Sequence, residues 1–194
     1  MSAVDRPQQT WADGWWAPAR RVPSPHHNAR PHGVAVEGVV LHSISLPAGS
    51  YGGPEVEDLF LNRLDLSAHE SFESLRGLQV SAHFFIRREG ACLQFVPVQA
   101  RAWHAGRSSF LGRENCNDFT VGIELEGLEG HAFEPAQYRS LVRLLRALRQ
   151  VIPLRWVAGH EHIAPGRKGD PGPGFDWAGL QRRLRWSAGR FPFA

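Results

Sequence analysis

A chain of 194 residues with seven tryptophans and 42% hydrophobic content has enough apolar surface for one well-filled core. No apolar run approaches the roughly 18 residues a membrane span requires, and the polar N-terminal segment lacks a secretory h-region. The formal charge of +3 permits nucleic-acid binding without arguing for it. Two cysteines without metal-like spacing read as free thiols, so the expectation is a single cytoplasmic domain with no nucleic-acid or membrane partner.

Residues 1–33 are rich in Pro, Trp, His and Arg without periodicity, which predicts an irregular arm packing Trp11, Trp15 and Trp16 on the domain. Residues 34–41 are an apolar run that predicts a buried strand ending at His42, with Gly38 marking a close backbone approach. A loop over residues 43–53 leads to Pro54, which suits the first turn of a helix. Glu55, Glu57 and Asp58 favour the positive end of that helix, and Val56, Leu59, Phe60 and Leu64 form its apolar side. Residues 65–79 read as irregular. Residues 80–87 and 92–98 predict a hairpin turning at residues 88–91. A loop over residues 99–118 follows, containing Trp103-His104-Ala105-Gly106.

Alternation over residues 119–127 predicts a strand with Val121, Ile123 and Leu125 on one face and Gly122, Glu124 and Glu126 on the other. Tyr138, Leu141, Val142, Leu145, Leu148 and Ile152 form one stripe and predict a helix over residues 135–151. Arg139, Arg143, Arg146 and Arg149 lie off that stripe and read as a solvated face, since no aromatics interleave with them in the sequence. Residues 154–158 predict a last strand. Asp176 is placed to cap a short C-terminal helix with Trp177, Leu180 and Leu184 inward. Strands and helices interleave, so the expected fold class is α/β: a central mixed β-sheet flanked by helices.

The chemistry concentrates in residues 160–174, where His160, His162, Lys168 and Asp170 share a segment rich in Pro and Gly. Such a composition predicts a loop rather than a regular helix or central strand. His42 and His160 each follow an apolar run, so both fit the same edge of one sheet, and Asp170 can fold back to them. Two neutral imidazoles and one carboxylate make a three-ligand set of the kind that hydrolytic zinc takes with a water. In an extended segment His160 and His162 point the same way, so either is open as the ligand, and His104 is a further option. His83, inside a strand, reads as a hydrogen-bonded core histidine. Glu124, mid-strand among apolar neighbours, is the first choice of general base, with Glu126 the alternative. Lys168, the only lysine among 22 basic residues, supplies a compact ammonium to offset developing oxyanion charge.

Six stretches carry a resemblance. They are Arg20-Arg21-Val22-Pro23-Ser24-Pro25-His26, Val39-Val40-Leu41-His42-Ser43-Ile44-Ser45-Leu46-Pro47, Val80-Ser81-Ala82-His83, Arg101-Ala102-Trp103-His104-Ala105-Gly106, Gly122-Ile123-Glu124-Leu125-Glu126-Gly127, and the segment from Gly159 to Pro173. Together the chain resembles the cytoplasmic 1,6-anhydro-N-acetylmuramoyl-L-alanine amidases of the type 2 amidase and peptidoglycan-recognition superfamily. The resemblance implies one Zn²⁺ per chain and hydrolysis of the amide between the lactyl group of anhydro-muramic acid and L-alanine in a muropeptide. It implies His42, His160 and Asp170 as metal ligands, Glu124 as general base and Lys168 as oxyanion stabiliser. His162 and His104 then fall outside the ligand set. It further implies Arg113 as a substrate contact. Trp103 and Ser43 are also expected to contact substrate, and the chain is expected to be a monomer. Two positions depart from the family pattern: Ser71 stands where an aromatic is expected, and Gln79 where an arginine is expected. A non-catalytic muropeptide-binding module is the competing function.

Overall fold

The computed structural model describes residues 10–193. The first nine residues of the expected N-terminal arm therefore lie outside the described part. A six-stranded sheet forms the centre. Its strands are β1 (Arg20–Arg21), β2 (Gly38–Ile44), β3 (Phe84–Ile86), β4 (Cys92–Gln94), β5 (Thr120–Glu126) and β6 (Trp156–Gly159). The spatial order is β6-β2-β5-β3-β4-β1. The four strands β6, β2, β5 and β3 are mutually parallel, β4 pairs antiparallel with β3, and β1 runs parallel to β4. The sheet is mixed, as expected, and the 84–94 hairpin forms, though with shorter strands than the apolar runs suggest.

Among the described residues four α-helices accompany it: α1 (Glu55–Phe60), α2 (Pro135–Leu148), α3 (His160–Ile163) and α4 (Trp177–Leu184). Alternation divides the sheet. Val39 and Leu41 of β2 and Val121, Ile123 and Leu125 of β5 pack with the stripes of α2 and α4. Val40 and Phe85 face the other way, toward clusters that include Ile163 of α3 and Val56 and Phe60 of α1. The start of α2 is pinned to the sheet by Gln137. Its side-chain oxygen accepts the Glu134 N–H, and its amide donates to the carbonyls of Ile86 and Glu126. Asp176 caps α4 by accepting the Gly179 N–H at 2.7 Å.

Three expectations need correction. The N-terminal arm is not wholly irregular. Trp11–Ala12 and Trp15–Trp16 pair as a small hairpin, and His27–Ala29 pairs with Ala100–Ala102. The arginine row on α2 is not simply solvated, because tryptophans distant in sequence reach it: Arg143 lies over Trp16 and Arg149 over Trp186. The segment from His160 opens with one turn of helix, α3, before the loop begins. Its first Pro is Pro165, past the end of that turn, so the Pro/Gly composition acts only from there on.

Gly38 shows why a strand interior holds a glycine. It sits opposite Trp156 in the register, and a Cβ there would fall 2.2 Å from the indole ring. Gly38→Ala is therefore expected to destabilise the fold by about 1–3 kcal/mol. The check is a lower denaturant midpoint at unchanged slope.

Candidate active site

The strands β6, β2 and β5 lie side by side and parallel. Their register sets Glu124 opposite His42 and Gly159 opposite Leu41, so His160 follows at the level of His42. Two imidazoles and a carboxylate thus meet at the carboxyl ends of adjacent parallel strands, where α/β sheets bind their ligands. His42 and Glu124 project from one face because Leu41 and Ile123 project from the other. Asp170 comes back to this edge because its main-chain carbonyl accepts the Glu161 N–H at 2.9 Å. Gly172, at φ 80° and with Gly130 N 3.1 Å from where its Cβ would stand, makes the tight turn that follows.

The side chains converge. His42 Nδ1 is 2.9 Å from His160 Nδ1 and 3.3 Å from Asp170 Oδ2, and His160 Nδ1 is 3.2 Å from the same oxygen. Burial lowers the His42 imidazole from its ordinary value to about 4, so the ring is neutral at pH 7. His160 Nε2 faces the Ala105 carbonyl at 3.2 Å, and its Nδ1 is turned toward His42 and Asp170. Electron-pair donors packed this closely repel one another unless a cation lies among them. Two ligand atoms each about 2.0–2.1 Å from a tetrahedral zinc ion stand about 3.3 Å apart, and the three separations agree with that spacing. The donor set therefore fits zinc. His42, His160 and Asp170 are also the one group of three or more His, Cys, Asp or Glu residues among the described residues that can converge on an ion.

The triad opens into a cavity of about 280 Å³ that Glu124, Lys168, Ser43 and Trp103 also line, with Leu46, Leu75, Leu78 and Val80 as its apolar wall. Glu124 Oε2 is buried and has no hydrogen-bond partner. Burial, reinforced by Asp170 and opposed by Lys168, holds the Glu124 carboxyl well above the ordinary carboxylate range. A buried, unpartnered carboxyl in a polar cleft has the character of a proton acceptor poised nearer neutrality. Glu126 does not. Its carboxylate accepts from Arg87 and from the backbone N–H groups of Gly52 and Arg88, so it is a structural tie. Trp103 is oriented by its indole N–H, which donates to Asn28 Oδ1 at 2.9 Å, and by stacking on His26.

The helical turn α3 decides between the two histidines of the His160-Glu161-His162 motif. Residues two apart on a helix point to opposite sides, unlike residues two apart on a strand. His162 turns away, accepts the Gly159 N–H on Nδ1 and stacks on Phe193 at 3.6 Å between ring centroids. His83 is a buried core histidine whose Nδ1 accepts the Gly122 N–H. Arg113 does not come to the cleft. Its guanidinium pairs with Glu37 and covers the Phe119 ring at 3.9 Å. Ser71 is exposed, hydrogen-bonded to His69, and also outside the cleft lining.

His104 is placed by the structure where spacing alone could not place it. Its Nδ1 lies 3.0 Å from His42 Nε2, behind the ligand ring rather than among the ligands. The signal for it was Gly122, the one glycine within strand β5.

A family model described as N-acetylmuramoyl-L-alanine amidase matches residues 32–173. The 1,6-anhydro-N-acetylmuramyl-L-alanine amidase AmpD of Citrobacter freundii is 51% identical over 168 residues, covering 86% of this chain and 90% of that protein. A crystal structure of a selenomethionine derivative of AmpD superposes with a TM-score of 0.85 at 49% identity, over 90% of this chain and 96% of that one. The Escherichia coli amidase AmiD was solved in complex with the substrate anhydro-N-acetylmuramic acid-L-Ala-D-γ-Glu-L-Lys. It matches with a TM-score of 0.56 at 27% identity, over 79% of this chain and 60% of that one.

Proposed function

The chain belongs to the N-acetylmuramoyl-L-alanine amidase family, and from that premise we propose that it is a zinc hydrolase of cell-wall muropeptides, cleaving the amide between the lactyl group of 1,6-anhydro-N-acetylmuramic acid and L-alanine. The observation that carries this reading is the convergence of three electron-pair donors beside a buried carboxyl without a partner. His42, His160 and Asp170 hold the ion. Zinc when bound supplies Lewis acidity toward the scissile carbonyl and its attacking water. Glu124 takes a proton from that water as the carbon–oxygen bond forms. It then delivers the proton to the alanine nitrogen as the carbon–nitrogen bond breaks. Lys168, across the cleft, offsets the negative charge that grows on the carbonyl oxygen. Trp103 and Ser43 line the approach to the triad and serve as substrate contacts, whereas Arg113 is engaged elsewhere.

The proposed enzyme is a monomer carrying a single zinc. A cytoplasmic setting agrees with the thiols. Cys116 is buried, Cys92 is half-buried, and both are free, with burial pushing the Cys92 thiol up to about 12. No helix among the described residues is long and apolar enough to cross a membrane.

The direct test is incubation of the purified protein with anhydro-muramyl peptide, followed by mass spectrometry. Release of free peptide with multiple turnovers is expected. Intact substrate at stoichiometric protein would instead identify a binding module that senses muropeptides without cutting them. Lys168→Met is expected to lower kcat by roughly 10²–10³ with KM little changed, since its ammonium acts on charge that exists only in the transition state. A variant whose KM alone rose would reassign Lys168 to substrate binding.

A further inference from the structure

Building on the zinc reading of the site, we propose that Thr120 and His104 form an orienting relay that holds the His42 proton on Nε2 and so presents His42 Nδ1 to the metal as a lone-pair donor. The hydrogen positions follow from heavy-atom distances. Thr120 Oγ1 lies 2.7 Å from the Cys116 carbonyl, which can only accept, so the hydroxyl hydrogen is directed there. Thr120 Oγ1 is also 3.2 Å from His104 Nε2. With its hydrogen already used, the hydroxyl oxygen accepts, and His104 carries its proton on Nε2. His104 lies buried between the rings of His42 and His83, and no carboxylate among the described residues is in hydrogen-bond contact with it to hold a second proton. Its Nδ1 is then a bare acceptor 3.0 Å from His42 Nε2, and His42 must be the donor. One neutral imidazole has one proton, so Nδ1 of His42 is left free, toward His160 and Asp170.

Gly122 gives the relay its room. It lies one alternation before Glu124 on β5, and a Cβ there would fall 2.4 Å from His104 Cγ. The ring has a histidine on each side and cannot retreat. Two residues of one strand, Thr120 and Gly122, thus anchor and accommodate a ring that lies at the cleft wall but outside the group of three metal-ligating side chains. His104 and Thr120 are positioning residues. Outer-shell partners of this kind typically contribute 10–100-fold to metal affinity.

The experiment uses the full chain and zinc alone. Zinc affinity is measured by competition with a chelator of known strength. In the metal-free protein, long-range proton–nitrogen correlation spectra of ¹⁵N-labelled histidine report each ring's tautomer. In the wild type, His42 and His104 are both expected to be protonated on Nε2. Thr120→Val, nearly isosteric, and His104→Phe should each weaken zinc binding by about 10–100-fold, whereas Thr120→Ser and His104→Asn, which keep the hydroxyl and an acceptor in place of Nδ1, should stay within about threefold. Thermal melts of the metal-free variants separate this loss from unfolding, and Thr120→Val decides the matter if His104→Phe does not fold. The proposal is overturned if Thr120→Val binds zinc as tightly as the wild type, or if His42 carries its proton on Nδ1 in the metal-free protein. A wild-type chain that takes up no zinc would defeat the metal reading instead, and the spectra would still decide the relay.

Discussion

Asp170→Ala is expected to lose zinc and turnover together, with zinc affinity falling by more than the roughly 10–100-fold that an outer-shell partner costs. Asp170 Oδ2 stands 3.3 Å from His42 Nδ1 and 3.2 Å from His160 Nδ1, and it brings the only formal negative charge of the triad. Without it two neutral imidazoles remain, too few for a site that needs three protein ligands. The zinc-induced rise in melting temperature should disappear with it. Atomic absorption, calorimetry and the hydrolysis assay on one preparation check all three. A variant that kept zinc and lost turnover would move Asp170 from the ligands to the proton-transfer groups.

Glu124→Gln should behave in the complementary way: full zinc content and a fall in kcat of about 10²–10⁴. The amide preserves the shape of the side chain and cannot take a proton. Because the wild-type Oε2 has no partner, the substitution breaks no hydrogen bond of that atom, so stability should be nearly unchanged. Glu126 cannot substitute for it, being tied to Arg87 and to two backbone N–H groups. Turnover equal to the wild type would remove Glu124 as the base and leave a water relay as the route for the proton.

How much of this was legible beforehand depended on period and on range. The strand over 120–126 and the helix over 135–148 were readable because each buries one face, and burial of one face writes a period of 2 or 3.6 into the residues. Placing His42 and His160 at one sheet edge followed from two apolar runs, each with a histidine at its end. What local pattern could not carry was the single turn of helix at His160. Four residues are too few to show a period, yet that turn is what sends His162 to Phe193 and leaves His160 facing Asp170. The arginines of α2 looked solvated because the tryptophans that cover two of them come from residues 16 and 186, far outside any local window. Arg113 was expected at the substrate because its partner Glu37, 76 positions away, is equally outside any local window. His104 was visible as a further ligand option, not as the ring behind His42. Gly122 held the missing information, as a strand position emptied for a neighbour that the sequence does not name.

The most direct test of the account is the metal content of the purified wild-type chain, measured by elemental analysis before and after dialysis against zinc. About one zinc per chain, retained by the wild type and absent from a His42→Ala, His160→Ala double variant, is the predicted result. A wild-type chain that holds no divalent ion and takes none up would contradict it.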